Sequence, residues 1–120
     1  MQELRMSWDQ VVGGPCDFET ALNWYTKRAG MLRERYVNLV PMGSRAMGPS
    51  ALGCFMALAE VCSPMAVYET GTGVSTIMLR NWLDRRQHIY SAHMESNKEW
   101  LLSFRFVMSA FDVEPINIYS

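Results

Sequence analysis

Two glycines, Gly71 and Gly73, stand between a short apolar run and a helical segment in the stretch V-Y-E-T-G-T-G-V-S-T at residues 67–76. The apolar run, residues 65–68, has proline before it and glycine soon after it. Such a run is typical of a strand that is buried on both faces. Apolar residues then recur at helical spacing. The stretch therefore predicts a strand, a tight turn and a helix, the unit from which parallel sheets are built.

The rest of the chain alternates in the same way. Asp17 is a plausible N-cap for a first helix, and Tyr36 to Ser44 is predicted to be a loop or a short extended piece. The predicted elements are helices at 18–35 and 49–63, a strand at 65–68, a helix at 75–83, a strand at 88–94, a helix from Ser96 or Asn97 to Phe111 and a strand at 115–119. This order predicts an α/β protein, a Rossmann-like three-layer fold with a mostly parallel sheet, preceded by two helices that cover one face. We assign residues 1–44 to an N-terminal arm and covering helix, and 45–120 to a partial Rossmann-like cofactor-binding domain.

Composition excludes several classes of protein. The chain has 120 residues, enough for one hydrophobic core. Eleven basic against twelve acidic residues give a net charge of −1 without a basic stripe, which argues against a nucleic-acid-binding surface. No apolar run reaches the roughly 18 residues of a membrane span. The three cysteines show no metal-ligand spacing. Two of them, Cys54 and Cys62, are expected to be small buried hydrophobic residues, and a cytoplasmic location follows.

The turn itself predicts a ligand site. In an open parallel sheet, ligands bind beyond the carboxyl ends of the strands, where the turn offers unpaired backbone N–H groups. Gly71 and Gly73 allow positive φ and close approach of a ligand to the backbone. A nicotinamide fingerprint needs a small residue at the sixth position from Gly71, where this chain has Thr76. No lysine follows the glycines as it would in a P-loop.

Two acidic residues narrow the choice of ligand. Glu69 lies two residues before Gly71, where a carboxylate would repel a diphosphate but could pair with a cation. Glu95 lies 22 residues after Gly73, the place of an acid that chelates ribose hydroxyls. Its two oxygens can each accept from one of two vicinal hydroxyls. The pair predicts an adenosine site for a ligand with a cationic tail, such as a sulfonium with an amino-acid end.

These motifs, together with Y-S-A-H-M-E-S-N-K-E-W at residues 90–100, resemble the class I S-adenosylmethionine-dependent methyltransferases over about residues 45–120. The resemblance implies a cofactor site on the strand-end segments, with Glu95 holding the ribose. The residues it assigns to S-adenosyl-L-methionine are Glu69, Gly71, Thr72, Gly73, Ser75, Thr76, Glu95 and Ser96. Many relatives carry glycine where this chain has Ser75. Members of the family also close a seven-stranded sheet, so we expect the chain to be the truncated, cofactor-binding part of such an enzyme. Such a fragment is expected to be inactive on its own.

Other interpretations of the fold and its function remain open. The turn could serve a nicotinamide or another nucleotide, or the chain could be a non-catalytic folded module. No general base, methyl acceptor or metal site is assigned. The open edges of a three-stranded sheet predict a homodimer.

Individual residues outside the turn have simple interpretations. His93 is taken as a satisfied strand histidine without a partner acid, and His88 as a solvent-facing residue. Trp100 is assigned to the core face of its helix, with adenine stacking as the alternative. Arg45 and Ser50 are further candidates for contact with the cofactor's carboxylate.

Overall fold

The computed structural model describes residues 17–40, 43, 46–84 and 86–120. The chain divides into two compact units, Met1–Ser63 and Pro64–Ser120. The predicted N-terminal arm and Arg45 lie outside the described residues. The predicted domain boundary between residues 44 and 45 lies there too and stays a prediction.

Four helices and three strands occur in the described residues. In chain order they are α1 (Phe18–Leu39), α2 (Pro49–Cys62), β1 (Ala66–Thr70), α3 (Val74–Leu83), β2 (Tyr90–Met94), α4 (Lys98–Ala110) and β3 (Ile118–Tyr119). Both predicted N-terminal helices are present. The loop predicted to begin at Tyr36 is wrong over its first four residues, because α1 continues to Leu39. Tyr36 lies one helical turn beyond buried Leu32 and is itself buried, so the apolar face extends through it.

The first unit contains α1 and α2, which approach each other closely at one glycine. A Cβ added to Gly53 would lie 2.2 Å from Thr26 Oγ1 and 2.7 Å from Thr26 Cα, so the two backbones can meet there only because position 53 has no side chain. The hydroxyl of Tyr25 donates to Glu60 Oε1 at 2.8 Å. Asp17 caps α1 as predicted, accepting a hydrogen bond from the N–H of Thr20 at 2.8 Å.

The second unit contains the sheet, whose strands are all parallel in the order β1-β2-β3. Each strand is joined to the next through a helix, α3 and then α4. The α/β class and the parallel sheet are therefore confirmed. The third strand is only two residues long, because Asn117 just before it has a φ of +57°, outside the extended region.

The two faces of the sheet differ in burial. Ser91 and His93 are buried on one face, and α3 is fastened there by a hydrogen bond from Arg80 Nη1 to Ser91 Oγ at 2.7 Å. On the opposite face Tyr68 and Tyr90 are 68% and 56% exposed. The prediction that β1 is buried on both faces is therefore wrong. Tyrosine contributes to an apolar run in the sequence, yet its amphipathic side chain tolerates exposure.

The predicted burial of the cysteines fails as well. Cys54 is half-buried and Cys62, at the end of α2, is exposed. The buried residues of α2 are instead Leu52, Gly53, Met56 and Ala57. Within the part of the chain that the structure describes, no helix has the length and apolar character needed to cross a membrane.

Candidate functional site

The two predicted acids lie at the tips of neighbouring strands. Glu69 on β1 is the register partner of His93 on β2, and Thr70 is the partner of Met94. Glu95 follows Met94, so it stands one residue beyond the end of β2 beside the turn that leaves β1. Both carboxylates contact residues of that turn or of the first turn of α3. The sequence prediction that the acids and the glycines share one edge of the sheet is therefore confirmed.

Glu69 is surrounded by hydrogen-bond donors from its own chain. One carboxylate oxygen accepts from the Ser75 hydroxyl, and the other accepts from the Thr76 hydroxyl. His93 Nδ1 lies 2.9 Å from Oε1 of the same carboxylate. Because an ionised carboxylate can only accept, Nδ1 carries the hydrogen of this bond. Glu69 thus joins β1, β2 and the start of α3.

His93 is therefore not the partnerless histidine that the sequence suggested. Its side chain is completely buried and Glu69 is its acid partner. Its other ring nitrogen, Nε2, has no hydrogen-bond partner among the described residues. The signal that could have found the pair is register, because parallel strands that end together place Glu69 and His93 side by side on one face.

Thr76 links the turn to Glu69 through its hydroxyl. Its side chain is completely buried, and its hydroxyl accepts from the N–H of Gly73 at 3.0 Å while donating to Glu69. The direction of both bonds follows from chemistry, since a backbone N–H can only donate and a carboxylate can only accept. Thr76 sits at the sixth position that a nicotinamide fingerprint gives to a small residue, and here that position holds a hydrogen-bonding side chain.

Glu95 is the second organised carboxylate. Its Oε1 accepts from both the N–H and the hydroxyl of Thr72, each at 2.8 Å, and its Oε2 accepts from the N–H of Asn97 at 3.1 Å. Burial raises the pKa of Glu95, but the hydrogen bonds from Asn97 and Thr72 outweigh burial and leave the pKa below its ordinary value. The residue is only 8% exposed, and the lowered pKa keeps its carboxylate ionised near neutral pH despite this burial.

Trp100 takes part in the same network, which the sequence analysis missed. Its indole Nε1 donates to the Thr72 carbonyl at 3.1 Å and lies 3.0 Å from the Thr72 hydroxyl oxygen. The residue is only half-buried, so its assignment to the core face of α4 was incomplete. A partly buried indole needs an acceptor for its N–H, and the turn supplies one. Adenine stacking on Trp100 stays an untested alternative.

The backbone N–H groups of the turn are already bonded. Those of Gly71, Thr72 and Gly73 donate to Met94 O, Glu95 Oε1 and Thr76 Oγ1 respectively. The expectation that the turn offers unpaired N–H groups is therefore wrong for these three residues. Anion sites at such turns depend on free N–H groups. These three N–H groups are thus occupied by a carbonyl, a carboxylate and a hydroxyl of the same chain and are not open to a phosphate.

The two glycines differ in what they require. Gly71 has a φ of +81°, in the region that favours glycine, and a Cβ added to it would meet no atom within 4 Å. Gly73 has a φ of 178°, which is extended backbone that any residue can adopt. Of the two glycines that allow positive φ, Gly71 adopts it and Gly73 does not.

Of the remaining candidates, Ser96 acts through its backbone, whose N–H helps to lower the pKa of Glu95. Ser96 is exposed next to Glu95, and His88 is exposed as predicted. Ser50 lies exposed in the first unit. Within the described ranges, no group of three or more histidine, cysteine, aspartate or glutamate side chains could hold a metal ion.

The site has a net negative character. Among the described residues no lysine or arginine forms an ion pair with Glu69 or Glu95, and the only basic side chain in contact with either is His93. Two carboxylates at one sheet edge disfavour an anionic ligand and favour a cationic one.

Comparisons of the chain with protein-family models, with curated proteins and with solved structures give no match.

Proposed function

We propose that the Pro64–Ser120 unit is a Rossmann-like module that binds S-adenosyl-L-methionine and forms the cofactor-binding part of a methyltransferase. One observation carries the proposal. Two carboxylates, at the tips of adjacent parallel strands, hold a glycine turn between them, and no lysine or arginine in the described part of the chain pairs with either. An adenosyl sulfonium has both a vicinal diol, which a carboxylate can chelate, and a positive charge, which an acidic edge stabilises.

The state of the turn supports this ligand over a dinucleotide. A pyrophosphate would need the N–H groups of Gly71, Thr72 and Gly73, which are bonded within the chain. It would also bring further negative charge to the edge that holds Glu69 and Glu95. Both effects weaken the nicotinamide alternative.

Each side chain then has a defined role in the proposal. Glu95 accepts the ribose hydroxyls, and Gly71 leaves open space beside the turn for the ligand. Glu69 keeps Ser75, Thr76 and the turn in place and adds negative charge near the sulfonium. Three donors already occupy Glu69, so its contribution to binding is mostly structural and electrostatic.

The reaction that follows from this ligand is an in-line displacement. A lone pair of the acceptor forms a bond to the methyl carbon while the carbon–sulfur bond breaks, and its electrons stay on sulfur as S-adenosylhomocysteine leaves. The contribution of the described residues is to orient and hold the cofactor. The methyl acceptor and the group that removes its proton are not assigned.

Calorimetric titration of the full chain with S-adenosylhomocysteine and, separately, with NADH tests the proposal. We expect S-adenosylhomocysteine to bind and NADH to give no response. Glu95→Ala should weaken S-adenosylhomocysteine binding by roughly tenfold or more, because a charge-assisted contact to the ligand is lost. Glu99→Ala removes an exposed acid from the first turn of α4 and serves as the matched control, for which we expect unchanged affinity.

Tight NADH binding without a response to S-adenosylhomocysteine would establish the nicotinamide alternative instead. Absence of binding by both ligands would favour a non-catalytic module. Equal losses in the two glutamate variants would remove Glu95 from the site.

A further inference from the structure

The carboxylate of Glu95 is already nearly saturated by donors of this chain. A carboxylate has about four acceptor positions, two on each oxygen. Thr72 fills both positions of Oε1 with its N–H and its hydroxyl, and Asn97 fills one position of Oε2. A vicinal diol brings two more donors, one more than the carboxylate can accept. One of the internal contacts must therefore open when a diol binds.

The Thr72 hydroxyl is the contact that can open most easily. The N–H groups of Thr72 and Asn97 are fixed by the turn and by the start of α4, whereas a threonine hydroxyl moves by rotation about a single bond. An indole N–H can only donate, so the Thr72 hydroxyl accepts from Trp100 and directs its own hydrogen to Glu95. If that hydroxyl turns away, the indole still has the Thr72 carbonyl at 3.1 Å.

We propose that the Thr72 hydroxyl occupies, on Glu95, the place of one hydroxyl of the ligand's sugar and is displaced when a vicinal diol binds. This inference rests on the proposed function, because it assumes that Glu95 receives the ribose. Thr72 is then a positioning residue with two effects. It keeps the Glu95 carboxylate oriented in the free protein, and it opposes occupation of that carboxylate by a diol.

The variants Thr72→Val and Thr72→Ser test whether the hydroxyl opposes binding of the diol. Valine keeps the backbone N–H and the branched shape but removes the hydroxyl, whereas serine keeps the hydroxyl. We expect Thr72→Val to bind S-adenosylhomocysteine roughly three- to tenfold more tightly than the wild type, because no hydrogen bond has to be broken. Thr72→Ser should bind like the wild type.

A second ligand makes the test specific to the displaced hydroxyl. The 2′-deoxy analogue of S-adenosylhomocysteine brings only one sugar hydroxyl, which the free position on Glu95 can accept without displacing Thr72. We therefore expect it to bind the wild type and Thr72→Val with the same affinity. Thr72→Ala serves in place of Thr72→Val if circular dichroism shows that the valine variant does not fold.

Three results would overturn the inference. The first is a Thr72→Val affinity for S-adenosylhomocysteine that equals or falls below that of the wild type. The second is an equal gain for the 2′-deoxy analogue. Either would leave the proposed function standing as long as the wild type binds S-adenosylhomocysteine. The third is absence of wild-type binding, which would overturn the proposed function as well.

Discussion

Two threonine hydroxyls at the turn have hydrogen-bond directions that their neighbours determine. Thr76 accepts from the backbone of Gly73 and donates to Glu69, and Thr72 lies between the indole of Trp100 and Glu95. In each case a group that can only donate lies on one side and a carboxylate on the other. The turn is therefore ordered by its own side chains before any ligand arrives, which lowers the entropy cost of binding.

Glu95 should make stability depend on pH. Because its folded pKa lies below the ordinary value, its contribution is present above the unfolded pKa and is lost as the pH falls through the folded pKa. Glu95→Gln lacks this contribution and sets an amide N–H group against a backbone donor, at a cost of about 1–3 kcal/mol near pH 7. Urea unfolding should show the difference between wild type and variant shrinking from about pH 7 to about pH 3. Glu99→Gln is the control, and a difference for Glu95→Gln that stays constant with pH would contradict the assignment.

Gly71 should be sensitive to substitution through its backbone alone. A Cβ added at position 71 would meet no atom within 4 Å, but the backbone φ there is +81°. Gly71→Ala should therefore lower the free energy of unfolding by about 1–2 kcal/mol, because alanine adopts positive φ only with strain. Gly71→Asn should lose less, since asparagine tolerates positive φ better than alanine. Chemical denaturation measures both. Equal losses in the two variants would show that side-chain volume, not φ, is the constraint.

At the level of residues, the sequence predicted where the two acids lie better than it predicted the hydrogen-bond partners of the site residues. The placing of Glu69 and Glu95 at strand tips follows from the alternation of strands and helices, which is a local pattern. The pairing of Glu69 with His93 depends on the register of two strands, since the two residues are 24 positions apart in the chain. The hydrogen bond from Trp100 to Thr72 depends on how α4 lies beside the turn. Spacing along a chain does not contain that information.

Among the elements, the α1–α2 pair offers a test of close packing. Gly53→Ala would drive its Cβ within 2.8 Å of backbone atoms of Thr26, so we expect a loss of about 2 kcal/mol in the free energy of unfolding. Gly30→Ala, in the interior of α1, places its Cβ 3.9 Å from the nearest atom, an ordinary contact. That variant should be more stable by up to about 1 kcal/mol, because alanine is the better helix former. Urea unfolding of both variants checks the signs, and a neutral Gly53→Ala would contradict the close approach.

Element types were predicted well, whereas lengths and faces were not. Asp17 and the Pro49 start of α2 mark helix beginnings through local chemistry, and both predictions are confirmed. The extension of α1 to Leu39 reflects packing of Tyr36, which overrides the weak local preference for a turn. The open face of β1 could not be foreseen, since burial of a tyrosine depends on what covers it.

At the scale of the whole molecule, the homodimer stays a prediction, and the exposed face of the sheet is the surface on which we test it. Tyr68 and Tyr90 lie there with their rings 5.8 Å apart, both exposed, and tyrosine is enriched at protein–protein interfaces. We expect the light-scattering mass of the chain to rise with concentration and the rise to vanish in Tyr68→Lys. Phe106→Lys, which places the same charge on the exposed face of α4, should not change it. A monomer at every concentration, or equal effects of both variants, would contradict this surface.

The most direct test of the central claim is an NMR titration of the isotopically labelled chain with S-adenosylhomocysteine, observed through the backbone amides. The proposal predicts shifts concentrated at residues 69–76 and 95–97, with Gly71 and Thr72 among the largest, because the ligand would lie beside the glycine turn and against the Glu95 carboxylate that accepts from the N–H of Thr72. Shifts that centre elsewhere in the chain, or an unchanged spectrum at saturating ligand, would contradict an adenosyl site at this edge of the sheet.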